Sequence, residues 1–225
     1  MVKSILILIA WLLSVSLELS GQIKFESNSA TTELSYERII GKPKFDSVQF
    51  VFRFWQSTEH VPGILLELRL QNDGHWKYRR GYVNTKKKIF VSKQAGVQEV
   101  NLDLIWNRLD SIGILEIRNQ INSKWIRTTE SGQVYPVKLR ADTYDRKGVL
   151  YTFEFISRGD VRQIYYMDPA GLQKIMNPNR ITSEDHDKVM EVTGLLVSKF
   201  NLQPVFNEFF LEVFATPSHV KPKKN

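Results

Sequence analysis

The chain has 225 residues, 42% of them hydrophobic and 12% aromatic, with a formal net charge of +7 and a pI near 9.5. That apolar content supports a full core and excludes general disorder, while the absence of cysteine excludes disulfides, Cys-ligated zinc and thiol catalysis. The positive balance favours anionic partners such as acidic polysaccharide, phosphate-bearing surfaces or nucleic acid, without choosing among them.

Lys3 precedes an apolar run from Ile5 to Val15, which Ser16, Glu18, Ser20 and Gly21 close. The run is shorter than the ~20 apolar residues that cross a bilayer. Its order, a charged start, an apolar centre and a small-residue end, is that of a secretory signal peptide. Residues 1–21 are therefore read as a leader cut after Gly21, with a secreted or periplasmic product and no membrane span after cleavage. Lys3 and Glu18 cancel, so the mature charge stays at +7. Neither a cysteine for lipid anchoring nor an Asn-X-Ser/Thr acceptor is present after the leader, which points toward a bacterial exterior.

Residues 22–33 read as an extended lead-in. From Val48 to Gln56, Val48, Phe50, Phe52 and Phe54 alternate with Gln49, Val51, Arg53 and Trp55, a period of two that predicts a strand. Ile64–Gln71 and His75–Val83 predict two more, joined by an Asn72-Asp73-Gly74 hairpin turn. A further turn near Asn84-Thr85 leads to Ile89–Ser92. Asn101 is placed to cap a helix whose stripe is Leu102, Ile105, Leu109 and Ile112, with Gly113 as its stop. A short strand is expected at Ile114–Ile117.

In the second half, Val134–Ala141, Val149–Ile156 and Val161–Met167 predict strands, with Pro136 placing the first at a sheet edge. Asp168-Pro169 and Asn177-Pro178 mark a loop. Thr182 and Asp185 form a capping-box pattern before a helix with Val189, Val192, Leu196 and Phe200 on its apolar stripe. Phe206–Phe214 fit a helix or a strand, and residues 217–225 form a basic tail. The expected fold class is α+β, a mainly antiparallel sheet of two β-meanders with a central and a C-terminal helix. It forms one domain over 22–216, with two lobes as the alternative division.

No motif names a reaction. The four histidines, His60, His75, His186 and His219, show no metal-ligand spacing, and no nucleophile elbow or phosphate-cradling glycine loop occurs. No metal or cofactor is expected. Glu67, Asp142, Asp145 and Glu154 are candidate catalytic carboxylates, because glycoside hydrolysis needs two acids about 5–9 Å apart. The most distinctive stretch is basic and aromatic: Trp76, Lys77, Tyr78, Arg79 and Arg80, followed by Lys86, Lys87 and Lys88. Rings stack on sugars or bases while cations neutralise acidic groups, so this strand is a candidate grip for an anionic polymer. Its ordinary alternative puts Trp76 and Tyr78 in the core and the charges in solvent. Arg162, Tyr165, Tyr166 and Asp168 form a second, smaller candidate at a strand end.

Two stretches carry a resemblance. Leu104-Ile105-Trp106-Asn107-Arg108-Leu109 through Gly113-Ile114-Leu115 and Asn119-Gln120 is one. Tyr151-Thr152-Phe153-Glu154-Phe155 through Arg162-Gln163-Ile164-Tyr165-Tyr166-Met167-Asp168-Pro169 is the other. Together they resemble exported proteins of Bacteroidetes-type bacteria with no assigned activity, with Asp168 standing where that pattern has Asn. The resemblance implies export and no mechanism. The leading expectation is a non-catalytic binding or envelope-interaction protein with an anionic ligand other than nucleic acid. A secreted polymer hydrolase and an assembly subunit using Phe206–Phe214 are the alternatives.

Overall fold

Alternation along the first strand sets the architecture, because both of its faces must be covered. A computed structural model describes residues 23, 25, 37–58, 61–84, 87–93, 100–139, 148–205 and 207. The leader, the tail, and the Phe206–Phe214 cluster apart from Asn207 lie outside these described residues.

Strands β1 (Val48–Thr58), β2 (Val61–Gln71), β3 (Trp76–Asn84) and β4 (Ile89–Ser92) form an antiparallel meander. Gly74, at φ 82°, makes the tight β2–β3 turn. The hairpin of β7 (Leu150–Ser157) and β8 (Val161–Met167) then adds to the free side of β1. One six-stranded sheet results, ordered β4-β3-β2-β1-β7-β8. The α+β antiparallel class is as expected, but the two halves share this sheet instead of forming separate meanders. The cause lies in β1: residues 50–55 are all buried, so it takes a central position.

The inner face carries Phe50, Phe52, Phe54, Leu66, Leu68, Phe153, Phe155 and Ile164. Over it lie two helices, α2 (Leu102–Ile112) and α4 (Glu184–Lys199), contributing Ile105, Trp106, Leu109, Val189, Val192 and Leu196. Full burial of each such side chain contributes about 1.5–3 kcal/mol. The ends of α2 are as the sequence predicts: Asn101 accepts from the Leu104 N–H, and Gly113 closes the helix at φ 82°. Phe25 packs its ring against Phe50 and Phe155, 6.0 and 6.1 Å between centroids.

Residues 37–47 lie on the outer face. Ile40, which ends the short helix α1 (Glu37–Ile40), packs with Trp55, Leu65 and Val83. Phe45 packs with Val48, Val51 and Ile156. A three-stranded sheet stands apart, ordered β6 (Val134–Val137), β5 (Trp125–Thr128), β9 (Ile181–Thr182). Its Trp125 packs on Leu172 and Met176 of helix α3 (Pro169–Met176).

Four local expectations are corrected. Ile114–Glu116 forms a 3-10 turn instead of a strand; it leaves Gly113 directly with Ile114 fully buried, and Arg162 holds the carbonyls of Leu115 and Ile117. The loop expected after Asp168 is α3, with the Asp168 carboxylate accepting from the Gly171 N–H and Pro169 in the first turn. The α4 cap is Ser183, since Thr182 belongs to β9 and Asp185 pairs with Arg118. The strand begun at Val134 stops at Val137, and β6 holds Pro136 at the sheet edge as expected.

Candidate functional site

Five side chains form a row across the outer face of the large sheet. Arg79 on β3 is the register partner of Glu67 on β2, and Glu67 of Arg53 on β1. Arg53 in turn partners Glu154 on β7, and Glu154 partners Gln163 on β8. Directly opposed residues share a face at about 4.5–5.5 Å between Cβ atoms, so charges alternating across four strands attract along the whole row. Arg53 Nε donates to Glu67 Oε2 at 2.7 Å, and Arg79 Nε donates to Glu67 Oε1 at 2.6 Å. Arg69, two residues beyond Glu67, also donates through Nε to Oε1 at 2.6 Å. Three guanidiniums thus converge on one carboxylate that is 0% exposed.

The second carboxylate is held differently. Glu154 Oε1 accepts from Gln163 Nε2 at 3.1 Å, while Oε2 faces Arg53 Nη1 at 3.6 Å. Among the described residues neither of those last two atoms has a hydrogen-bond partner. Burial would raise the Glu67 carboxyl, but the Arg79 hydrogen bond and the charges of Arg53, Arg79 and Arg69 outweigh it, holding the group below its ordinary value. Burial wins at Glu154: Arg53, Trp55 and Gln163 oppose it only in part, and the carboxyl is raised.

Glu67 and Glu154 are therefore brought together as a pair, though around Arg53 and out of solvent. Asp142 and Asp145 lie outside the described residues. A polymer-cleaving pair needs space for substrate and water between its acids, and here a guanidinium fills that space.

The basic strand divides by face. Trp76, Tyr78 and Arg80 point inward. Trp76 stacks on Trp106 at 4.8 Å, and Tyr78 packs on Phe200 at 5.2 Å. Arg80 donates to the carbonyls of Lys93, Phe200 and Asn201, closing the C-terminal end of α4. The exposed rim of Trp76 borders a groove of about 510 Å³ with His75, Asn101 and Asp103. Asp103 has no lysine or arginine beside it in that lining, which does not suit an anion. On the outer face, Lys77 is exposed and stands opposite Arg69, while Arg79 is partly covered by the Ile40 carbonyl. Lys86 lies outside the described residues. Lys87 and Lys88 are exposed beyond the far end of β3. At ~3.3 Å per residue, roughly 23 Å of strand separates them from Lys77, so the strand and the turn present two basic surfaces.

The smaller candidate is taken up by structure. Tyr166 is 0% exposed, donates to the Arg118 carbonyl at 3.0 Å and meets Ser123 Oγ at 2.6 Å. Arg162 grips the 3-10 segment, and Asp168 caps α3. Tyr165 alone stays partly open, beside a depression of about 350 Å³ lined by Ile121, Leu139 and Met167.

Sequence reasoning missed Arg53 and Gln163 as members of the row, and Arg69 beside it. The signal was present for Arg53, the one charge in a stretch, residues 50–55, otherwise apolar on both faces. Fold and face together define an antiparallel α+β protein with a cationic outer surface built around a buried carboxylate. Comparison with protein-family models, curated proteins and solved structures found no match.

Proposed function

We propose that the chain is an exported, non-catalytic binding protein whose Arg69–Lys77–Arg79 face holds an anionic polymer or envelope component. One observation carries this reading: three guanidiniums converge on one buried Glu67, with Lys77 opposite Arg69, leaving surplus positive charge at the surface. Arg69 engages Glu67 through Nε, and its two terminal nitrogens make no hydrogen bond or ion pair among the described residues. A buried carboxylate that fixes the guanidinium plane while its outer edge stays open suits bidentate recognition of carboxylate, sulfate or phosphate. Export rests on the leader-like order of residues 1–21. Ile23 and Phe25 pack against the core just beyond the expected cut, which would spare them.

Retention on heparin at low salt, with elution as salt rises, is the expected behaviour. Arg69→Gln with Lys77→Gln should abolish it, while Lys87→Gln with Lys88→Gln should leave most of it. Retention untouched by the first pair would remove this face from the proposal. The hydrolase alternative needs Glu67 and Glu154 open to substrate, and their burial against Arg53 favours binding over cleavage. The assembly alternative rests on Phe206–Phe214, which lie outside the described residues except for Asn207.

A further inference from the structure

The small sheet carries a second site with different chemistry. Arg127 on β5 and Tyr135 on β6 are register partners, so both project from one face. Part of that face is packed: Trp125, Val137 and Ile181, the last directly opposite Arg127, cluster with Leu172 and Met176. Beyond this packing the face opens into a groove of about 610 Å³, walled on the far side by Pro178, Asn179 and Arg180. That volume lies within the ~300–1,000 Å³ typical of small-ligand sites.

The groove walls are fixed while their functional ends stay free. Tyr135 donates its hydroxyl to Gln133 Oε1 at 2.6 Å, which orients a ring that remains 49% exposed. Arg180 sits in the left-handed region at φ 52°, an uncommon conformation for a residue with a side chain. Its N–H donates to the Asn177 carbonyl, and its own carbonyl accepts from the Thr128 N–H at 3.0 Å. The first bond closes the Asn177–Asn179 turn, and the second holds the strained residue against β5. Among the described residues the Arg180 guanidinium has one ion-pair partner, Glu130 at 3.7 Å, and Glu130 is 94% exposed. An exposed pair of this kind contributes little and yields readily to a ligand. The Arg127 side chain is exposed and makes no hydrogen bond or ion pair among the described residues.

We infer that this groove binds a saccharide unit bearing a carboxylate. Arg127 and Arg180 both line the groove, and a guanidinium fork matches a planar carboxylate in two parallel hydrogen bonds. The open Tyr135 ring offers a flat apolar surface with fixed orientation for the C–H face of a sugar. Glu130 supplies an acceptor for ring hydroxyls, and Thr128 and Thr129 supply both donors and acceptors. A bare inorganic anion would leave the ring unused, and a wholly apolar ligand would strand the two cations. The site is independent of the Arg69–Lys77 face, which is on the other sheet.

The test is calorimetric titration of the protein with oligogalacturonate, its neutral methyl ester, inorganic phosphate and a short single-stranded oligonucleotide. Oligogalacturonate should bind, with the ester at least tenfold weaker and phosphate weaker still. Arg127→Gln and Tyr135→Ala should each weaken binding tenfold or more, with thermal midpoints kept near the parent value because both side chains are exposed. Arg127→Lys should recover only part of the affinity, since a lysine cannot fork. Arg69→Gln with Lys77→Gln should leave this binding unchanged, which separates failure here from failure of the heparin-binding face. Equal binding of acid and ester, tighter binding of the oligonucleotide, no binding of oligogalacturonate, or an unaffected Arg127→Gln would each overturn the inference.

Discussion

Arg53 and Glu154 stand opposite each other on β1 and β7, both fully buried, with Nη1 and Oε2 3.6 Å apart. The same guanidinium is bound more closely by Glu67 on its other side, at 2.7 Å. A third contact, from Arg53 Nη2 to the Gly41 carbonyl at 3.2 Å, ties it to the segment crossing the sheet. One side chain therefore joins two strands and the outer layer. Removing it would leave two buried carboxylates without their shared partner.

Breaking a buried ion pair from one side costs about 3–5 kcal/mol, because the remaining charge stays desolvated. Arg53→Met should reach that range in urea denaturation at pH 7. Adding Glu154→Gln to Arg53→Met should recover part of the loss, since one stranded charge is removed. If Arg53→Met unfolds at the parent midpoint, the row contributes no stability.

The two carboxylates should shift stability with pH in opposite senses. Glu67 lies below its ordinary value, so its contribution is present above about pH 4.5 and is lost as pH falls through the lowered folded value. Glu154 lies above its ordinary value, so its contribution is full below about pH 4.5 and is lost as pH rises through the raised folded value. Glu154→Gln should therefore flatten the decline in stability on the alkaline side of pH 4.5. Glu67→Gln should cost most near neutrality and least in acid. Denaturation midpoints measured from pH 3 to 8 decide both, and parallel profiles for the two variants would contradict this assignment.

His186 gives a third titration. It lies on the first turn of α4, 3% exposed, with its ring against Trp125 and Tyr166 at 5.4 and 6.5 Å. Among the described residues neither ring nitrogen has a hydrogen-bond partner. Burial lowers its basicity, and the nearby charge of Asp187 opposes this only in part. Its contribution is therefore present above about pH 6.5 and is lost as pH falls from there through the lowered folded value. His186→Phe should remove that component while keeping the aromatic packing. A variant whose stability still falls as steeply between pH 6.5 and 5 would place the acid sensitivity elsewhere.

Legibility in the sequence followed the length of each repeating signal. Val48–Gln56 declared a strand through four apolar residues at every second position, and Asn101 with Gly113 bracketed α2 correctly. The four residues of β5 and the two of β9 are too short to show a period, so the small sheet was not foreseen. Its groove went unseen as well, because Arg127, Tyr135 and Arg180 are scattered in the chain and meet only through strand pairing. Helix α3 was hidden by Gly171, which weakens a helix pattern, and by Asp168-Pro169, which reads equally as a turn or a helix start. The outer-face row shows the same limit. Alternation placed Lys77 and Arg79 on one side of β3, but strand order was needed to put Glu67 and Arg53 beside them. Glu67 and Glu154 read as candidate catalytic acids, and nothing local to either residue announces that residues 37–47 lie across that sheet face.

Arg80 and Lys77 offer a direct comparison of the two faces of β3. Both are cations on one strand, three residues apart, and composition treats them alike. Arg80 is 2% exposed and donates to three backbone carbonyls, those of Lys93, Phe200 and Asn201. Two of the three follow the last turn of α4, where a cation also complements the negative end of the helix dipole. Each buried acceptor left unmet costs about 1–3 kcal/mol, so Arg80→Leu should destabilise the protein by at least about 2 kcal/mol. Arg80→Lys should recover a minority of this, because a single ammonium cannot span carbonyls on two separate segments. Hydrogen exchange should rise first in the last turn of α4. Lys77→Leu, on the open face, should change stability by less than about 0.5 kcal/mol. Guanidinium denaturation of the three variants measures the contrast, and equal effects of Arg80→Leu and Lys77→Leu would show that the inward guanidinium does not hold the end of α4.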